Sequence, residues 1–223
     1  MDKVFTLENF QFLLKGAGYS LLIAVVAIIA GTLMGIIIAM LRISKNKWVS
    51  GITRIYVDII RGTPMLLQIS FVYLGFPQVY QLITGSYLSV SALWAGILAI
   101  SINSGAYSSE LIRGTIESID KGQWEAGKSL GLSHNQIMKK IILPQALKRM
   151  VPPLVNEFIV LIKDSSLLST IGVIDLMKAQ SIISTSTYTY MAPLLSAAAI
   201  YLFMTLVVSH FATGLERRLK ESD

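Results

Sequence analysis

The apolar positions of this chain come in long unbroken runs rather than in alternation. Residues 19–41, YSLLIAVVAIIAGTLMGIIIAML, pass 23 positions without a charge, enough for a helix to cross a hydrocarbon core of about 30 Å. Further apolar stretches of comparable length bring the expected spans to five, at about 17–41, 54–77, 90–112, 150–172 and 193–214. The first is too long for a signal-peptide core and follows no basic segment, so it is expected to be retained. Ahead of it, TLENFQFLL (6–14) sets Leu7, Phe10 and Leu14 on one helical face, the pattern of a short helix lying in the outer interface. STSTYTY (184–190) reads as a polar outer loop. The expected fold class is all-α, a polytopic membrane helix bundle of about five spans, with residues 1–223 forming a single domain.

The segments between the runs differ in charge. Asp2, Lys3, Glu8 and Lys15 balance ahead of the first span. The first loop holds Arg42, Lys45, Lys47 and Arg54, whereas the second, FPQVYQLITGSYLS (76–89), holds no charge. The third loop holds Arg113, Lys121, Lys128, Lys139, Lys140, Lys148 and Arg149, and the fourth only Asp175 and Lys178. The tail, ERRLKESD, includes Arg217, Arg218 and Lys220. The positive-inside rule then puts the first loop, the third loop and the C-terminus in the cytoplasm, and the N-terminus outside. Only 14% of residues are charged, against about 25% in a soluble domain, and mean hydropathy is +0.63. A net charge of +6 is therefore read as membrane orientation in contact with lipid, with no nucleic-acid partner. The chain has no cysteine, which excludes disulfides, thiolate metal sites and cysteine nucleophiles.

One motif asks for a decision. GQWEAGKS (122–129) fits the phosphate-loop pattern G-x-x-x-x-G-K-[ST]. Such a loop follows a buried strand inside a βαβ unit. Here ELIRGTIESIDK (110–121) precedes it, mixing charged and apolar residues at helical spacing, and nothing downstream suggests a parallel sheet. Glu125 would also set a negative charge inside the cradle meant for phosphate. The match is read as a coincidence.

The same residues support a helix-turn-helix. A first helix fits 118–130, Gly131 suits the left-handed position that ends it, and Ser133 with Gln136 forms a capping box for the next. Met138, Ile141 and Ile142 give that second helix an apolar side. Glu125-Ala126-Gly127, three residues, Gly131, nine residues and Ile141-Ile142-Leu143-Pro144 resemble the EAA loop of ABC importer permeases, with Gly127 in place of Ala as the one departure. RGTPMLLQ (61–68), NSGAYSSELIRGTIESIDKGQWEAGKSLGL (103–132) and LPQALKRMVPPLVNEFIVLIKDSSLLSTIGVIDL (143–176) are similar to the polar amino acid branch of that family, so the resemblance covers nearly the whole chain. It implies a type I importer permease in a bacterial inner membrane, paired with a second copy or a sister permease. It also implies a cytoplasmic ATPase dimer that binds the ATP and Mg, with no cofactor in this chain, and an extracytoplasmic solute-binding protein. Glu125, Ala126, Gly127, Gly131, Leu143 and Pro144, in a loop over about 117–145, would carry the coupling to the ATPase.

Polar residues inside spans are costly and mark function by default. If the fourth span enters at Val151, Pro152 and Pro153 occupy a first helical turn. Glu157 then lies ~9 Å deep and Lys163 and Asp164 ~18–20 Å deep. Glu157 and Asp164 share a helix face, Lys163 points ~100° away, and Asn103 on the third span comes near Glu157's level. Lys163 could meet the carboxylate of an amino acid, Asp164 or Glu157 its ammonium or a basic side chain, and Asn103 and Ser166 could supply neutral hydrogen bonds. Equally, Lys163 and Asp164 could pair with each other or with a neighbouring subunit. Asp58 and Arg61, spaced i, i+3, are expected to pair on a helix surface, and Pro64 to kink the second span. Two other readings stay open: a secondary transporter with Glu157 and Asp164 as ion sites, and a scaffold in which these charges only hold helices together. The first is disfavoured by the absence of internal repeats. A membrane enzyme lacks any visible nucleophile–base pair.

Overall fold

The structure, a computed structural model, describes residues 6–44 and 46–220. Asp2, Lys3, Lys45 and the last three residues of the tail lie outside the described residues, as do the side chains of Arg218 and Lys220. Every regular element among the described residues is helical.

Helix α1, Leu7–Arg42, starts where Thr6 accepts a hydrogen bond from the Asn9 amide at 3.2 Å. It runs 36 residues, about 54 Å. The short surface helix expected over 6–14 is therefore not separate but is the first part of α1. Leu7, Phe10 and Leu14 do share an exposed face. The helix continues through Lys15-Gly16 because Gly16 packs onto another backbone, where a Cβ would meet the Asp175 carbonyl oxygen at 2.8 Å. The buried stripe of α1 is rich in small residues, Gly16, Ala17, Ser20, Ala24, Ala27, Gly31, Gly35 and Ala39, with Leu13, Ile23 and Ile38 as its large members. Helix α5, Ala92–Glu117, lies along it in parallel. A Cβ on Gly31 would sit 2.6 Å from Ser104 Cβ, and one on Gly35 2.6 Å from Ser108 Cβ. Small residues let the two backbones approach this closely, which is what packs helices where lipid removes the hydrophobic drive.

The expected second span is divided. Helix α2, Lys47–Gly62, is capped by Asn46, and Pro64 caps a new helix α3, Met65–Ser70. A π-helical turn, Phe71–Gly75, joins α3 to α4, Phe76–Thr84. Pro64 forces its predecessor Thr63 into an extended conformation (φ −117°, ψ 146°) and so splits 54–77. The apolar helical stretch of spanning length is Met65–Thr84 instead. The uncharged loop shrinks accordingly, since 76–84 is helix and Gly85 ends it at φ 71°.

Downstream lie α6, Lys121–Ser129, and α7, His134–Ile137, and a π turn, Met138–Ile142, leads on into α8, Leu143–Asp164. Pro152 and Pro153 are thus inside α8, and Pro144 takes the first-turn position. The helix reaches this far upstream because ALKRM favours helix and Arg149 anchors to the Ser118 carbonyl at 2.8 Å. A 3-10 segment, Ser165–Ile171, continues α8 to Gly172 at φ 90°. Helix α9, Leu176–Thr187, was not foreseen and takes up most of the expected polar loop at 184–190. Buried Asp175 caps it through the Met177 and Lys178 amides at 3.2 and 2.9 Å and accepts from the Tyr201 hydroxyl at 3.3 Å. Helix α10 is Met191–Lys220. Ile23, Ile69, Ile100, Leu161, Ile162, Leu168 and Leu176 meet in the main core.

Among the described residues three stretches are long and apolar enough to cross a membrane: α1, Met65–Thr84 and Met191–Leu215. The remaining two expected spans correspond to α5 and α8, which carry the polar groups described next.

Candidate functional site

Asn103 and Tyr107 lie one turn apart on α5, and Glu157, Val160 and Asp164 fall at i, i+3, i+7 on α8. Together with Thr63 and Met65 at the α2–α3 break they line a cavity of about 240 Å³. That is a little below the range of about 300–1,000 Å³ usual for drug-sized ligands. The break and the cavity share one hydrogen-bond network. Pro64 cannot donate to the Ile60 carbonyl four residues back. The Gln68 side chain donates to it instead at 2.7 Å, and also to Thr63 Oγ1 at 2.9 Å. Gln68 Oε1 in turn accepts from Asn103 Nδ2 at 2.9 Å. A buried Asn103 is thereby fixed, and one wall of the cavity is tied to the helix break.

The structure brings three of the predicted residues together: Asn103, Glu157 and Asp164 line the same cavity. Lys163 and Ser166 do not line it. Lys163 is exposed, one residue around the helix from Asp164, and Ser166 is half-buried in the 3-10 segment. Thr63, Gln68 and Tyr107 were not singled out in the sequence. Tyr107 had a usable signal, since Asn103, Tyr107 and Glu110 repeat at i, i+4, i+7 along one face. Two larger grooves, of about 370 and 400 Å³, are lined mainly by apolar residues such as Phe10 and Pro193 or Phe12 and Val173, and neither is lined by a carboxylate.

One helical turn beyond Tyr107, Glu110 gathers the charges. It pairs with Arg42 at the end of α1, with Arg113 at 2.9 Å and with Arg61 of α2 at 3.9 Å. Arg113 also pairs with Glu117 at 2.6 Å. The pair expected between Asp58 and Arg61 is therefore replaced: Asp58 meets Arg54 at 3.8 Å. Arg61 is drawn across to α5, where its guanidinium carbon stands 5.2 Å from the centre of the Tyr107 ring. These pairs bring the basic first and third loops to one end of the bundle.

At that end, the GQWEAGKS stretch is helix α6 rather than a loop open to phosphate. Leu132 N–H donates to the Gly127 carbonyl at 3.1 Å and Gly131 N–H to the Lys128 carbonyl at 2.9 Å, with Gly131 at φ 73°. This is the left-handed termination that glycine favours. Ser133 and Gln136 form the expected capping box. The Gly127 departure has a packing reason: a Cβ there would meet Ile137 Cγ1 at 2.8 Å. Trp124 stacks on His134 with ring centres 4.9 Å apart. Ile119, Ile137, Ile142 and Ala146 are buried together beneath the turn. Glu125, Ala126, Gly131, Leu143 and Pro144 remain exposed.

Residues 31–221 match the family described as binding-protein-dependent transport system inner membrane component. The chain belongs to this family. The permease is 37% identical over 223 residues to the arginine transport system permease protein ArtQ of Bacillus subtilis, covering 100% of this chain and 99% of that one. It is 36% identical over 209 residues to the glutamine transport system permease protein GlnP of Escherichia coli, covering 93% of each. A crystal structure of an amino acid ABC transporter with histidines aligns at TM-score 0.91 and 38% identity, over 98% of this chain and 99% of that one. The inward-facing MetNI methionine transporter shares the fold at TM-score 0.79 and 19% identity, over 96% and 99%. The permease is thus an inner-membrane subunit of a binding-protein-dependent, ABC-type transport system. The reading as an ion-driven secondary transporter is set aside on these matches.

Proposed function

We propose that this permease imports a polar amino acid with a cationic side chain, and that the cavity between α5 and α8 is where the solute rests. The observation that carries this is the convergence of Asn103, Glu157 and Asp164 on one small cavity. An amino acid of this class brings two cationic groups, and two carboxylates answer them at distinct points of the wall. The relatives named for arginine and for glutamine support the amino acid class. Energy comes from a separate ATPase dimer that binds ATP and Mg. A second permease, identical or sister, completes the pathway, and an extracytoplasmic binding protein delivers the solute. The exposed face bearing Glu125, Ala126, Gly131, Leu143 and Pro144, stiffened by Gly127 against Ile137, docks on the ATPase. Five crossings with the N-terminus outside and the C-terminus cytoplasmic agree with the basic residues gathered around Glu110 and the α6–α7 turn.

The test is equilibrium binding of radiolabelled L-arginine, L-lysine, L-histidine and L-glutamine to the purified permease–ATPase complex, without its binding protein. Cationic amino acids are expected to bind, and Asp164→Asn to weaken them while the complex stays intact. Preferred binding of glutamine would remove the cationic assignment. Unchanged binding in Asp164→Asn would remove the cavity.

A further inference from the structure

The cavity is walled by two carboxylates, and among the described residues no Lys, Arg or His lines it. An amino acid also carries a carboxylate of its own. Taking that group out of water beside two like charges is unfavourable unless a cation answers it. Lys163 looked suited to this in the sequence, but its side chain is exposed and does not line the cavity. Arg61 is placed otherwise. Its guanidinium lies against Tyr107, which lines the cavity, and its backbone is two residues from Thr63, which lines it too. Glu110 does not hold Arg61 tightly. That carboxylate already has Arg42 and Arg113 close by, and Arg61 stands off at 3.9 Å with its side chain 43% exposed. Arg61 therefore keeps N–H donors that Glu110 does not take, against the Tyr107 side of the cavity wall, and a planar fork suits a carboxylate.

Resting on the cavity reading above, we infer that Arg61 is a specificity-determining residue that takes the solute's α-carboxylate. Tyr107 holds the guanidinium in reach. Glu157 and Asp164 take the ammonium and the cationic side chain, and Glu110 steadies Arg61 from behind. The permease itself then distinguishes an amino acid from the amine left by its decarboxylation.

The experiment measures binding of L-arginine and of agmatine, which lacks the carboxylate, to the purified permease–ATPase complex by titration calorimetry. L-lysine against cadaverine and L-histidine against histamine repeat the comparison. The wild type is expected to prefer the amino acid by on the order of tenfold or more, the value of a charge-assisted hydrogen bond. Arg61→Gln is expected to lose that preference while agmatine binding stays within about twofold. Arg61→Lys should keep part of it. Tyr107→Leu reads the same ratio if Arg61→Gln does not assemble, and is expected to reduce the preference. An unchanged ratio in these variants, or no preference in the wild type, overturns the role of Arg61. Glu157→Gln separates the two claims. If it abolishes binding of acid and amine alike while Arg61→Gln keeps the wild-type ratio, the cavity stands and Arg61 falls. If Glu157→Gln changes neither, the cavity reading falls with it.

Discussion

The α6–α7 turn and the cavity between α5 and α8 are assembled by different means. The turn is short-range. Its glycine termination, its capping box and the Gly127–Ile137 contact all lie within 127–137. Its buried side chains are isoleucines and an alanine from 119–146. The cavity is long-range. Its wall comes from Thr63 and Met65, from Asn103 and Tyr107, and from Glu157 to Asp164. Its rigidity rests on Gln68 bridging a broken helix to Asn103 and on the close contact of α1 with α5 behind it. A docking element benefits from the first construction, since it must transmit a push without deforming. A solute site benefits from the second, because a shift of α3, α5 or α8 changes the wall.

The comparison makes claims that substitutions can separate. The largest effect is expected from Gly31→Leu, which drives a branched side chain into a space where a bare Cβ already meets Ser104 at 2.6 Å. Overpacking of about 1–3 kcal/mol or more should scatter the α1–α5 pair. Fluorescence-detected size-exclusion chromatography should show most of the monodisperse protein lost. A normal elution profile would mean that the small-residue contact does not hold the bundle. Next come Glu157→Gln and Asp164→Asn, each expected to weaken solute binding by about ten- to a hundredfold while the ATPase still co-purifies. If co-purification fails and binding survives, the two regions have been assigned the wrong way round. Gly131→Val should do the reverse. A β-branched residue held at φ 73° costs about 1–3 kcal/mol, so solute-stimulated ATP hydrolysis should drop with solute affinity intact. The smallest effect is expected from Ser133→Ala. Losing the cap costs about 1 kcal/mol and should speed amide exchange at Gln136 with little change in transport.

The turn was legible because its signals are local. Gly131, Ser133 and Gln136 state their conformations within a few residues of one another, and the structure keeps each of them. The face shared by Glu157 and Asp164 was legible for the same reason, being simple helical spacing. What was misread depended on partners far along the chain. The interruption of 54–77 falls at Pro64, where a kink was expected, but that it divides the run into separate helices and that Gln68 satisfies the freed carbonyl was not legible. Arg61 turned from nearby Asp58 toward Glu110 and Tyr107, about fifty residues away in sequence. The 6–14 segment joined α1 because Gly16 found the backbone of Asp175 and Leu176 to pack on. Helix α9 runs into the stretch at 184–190 whose Ser and Thr content suggested a loop, and a buried aspartate with Tyr201 fixes its start.

By itself the sequence determined the all-helical membrane class, the basic and neutral alternation of its loops and the geometry of the α6–α7 turn. Those follow from length, charge and short-range steric preference, none of which needs a distant partner. Only the tertiary structure decided which polar side chains share a cavity. Helical spacing says which residues lie on one face of a rod. It cannot say which face of another rod they will meet, because that is set by where glycine and serine let two backbones come together.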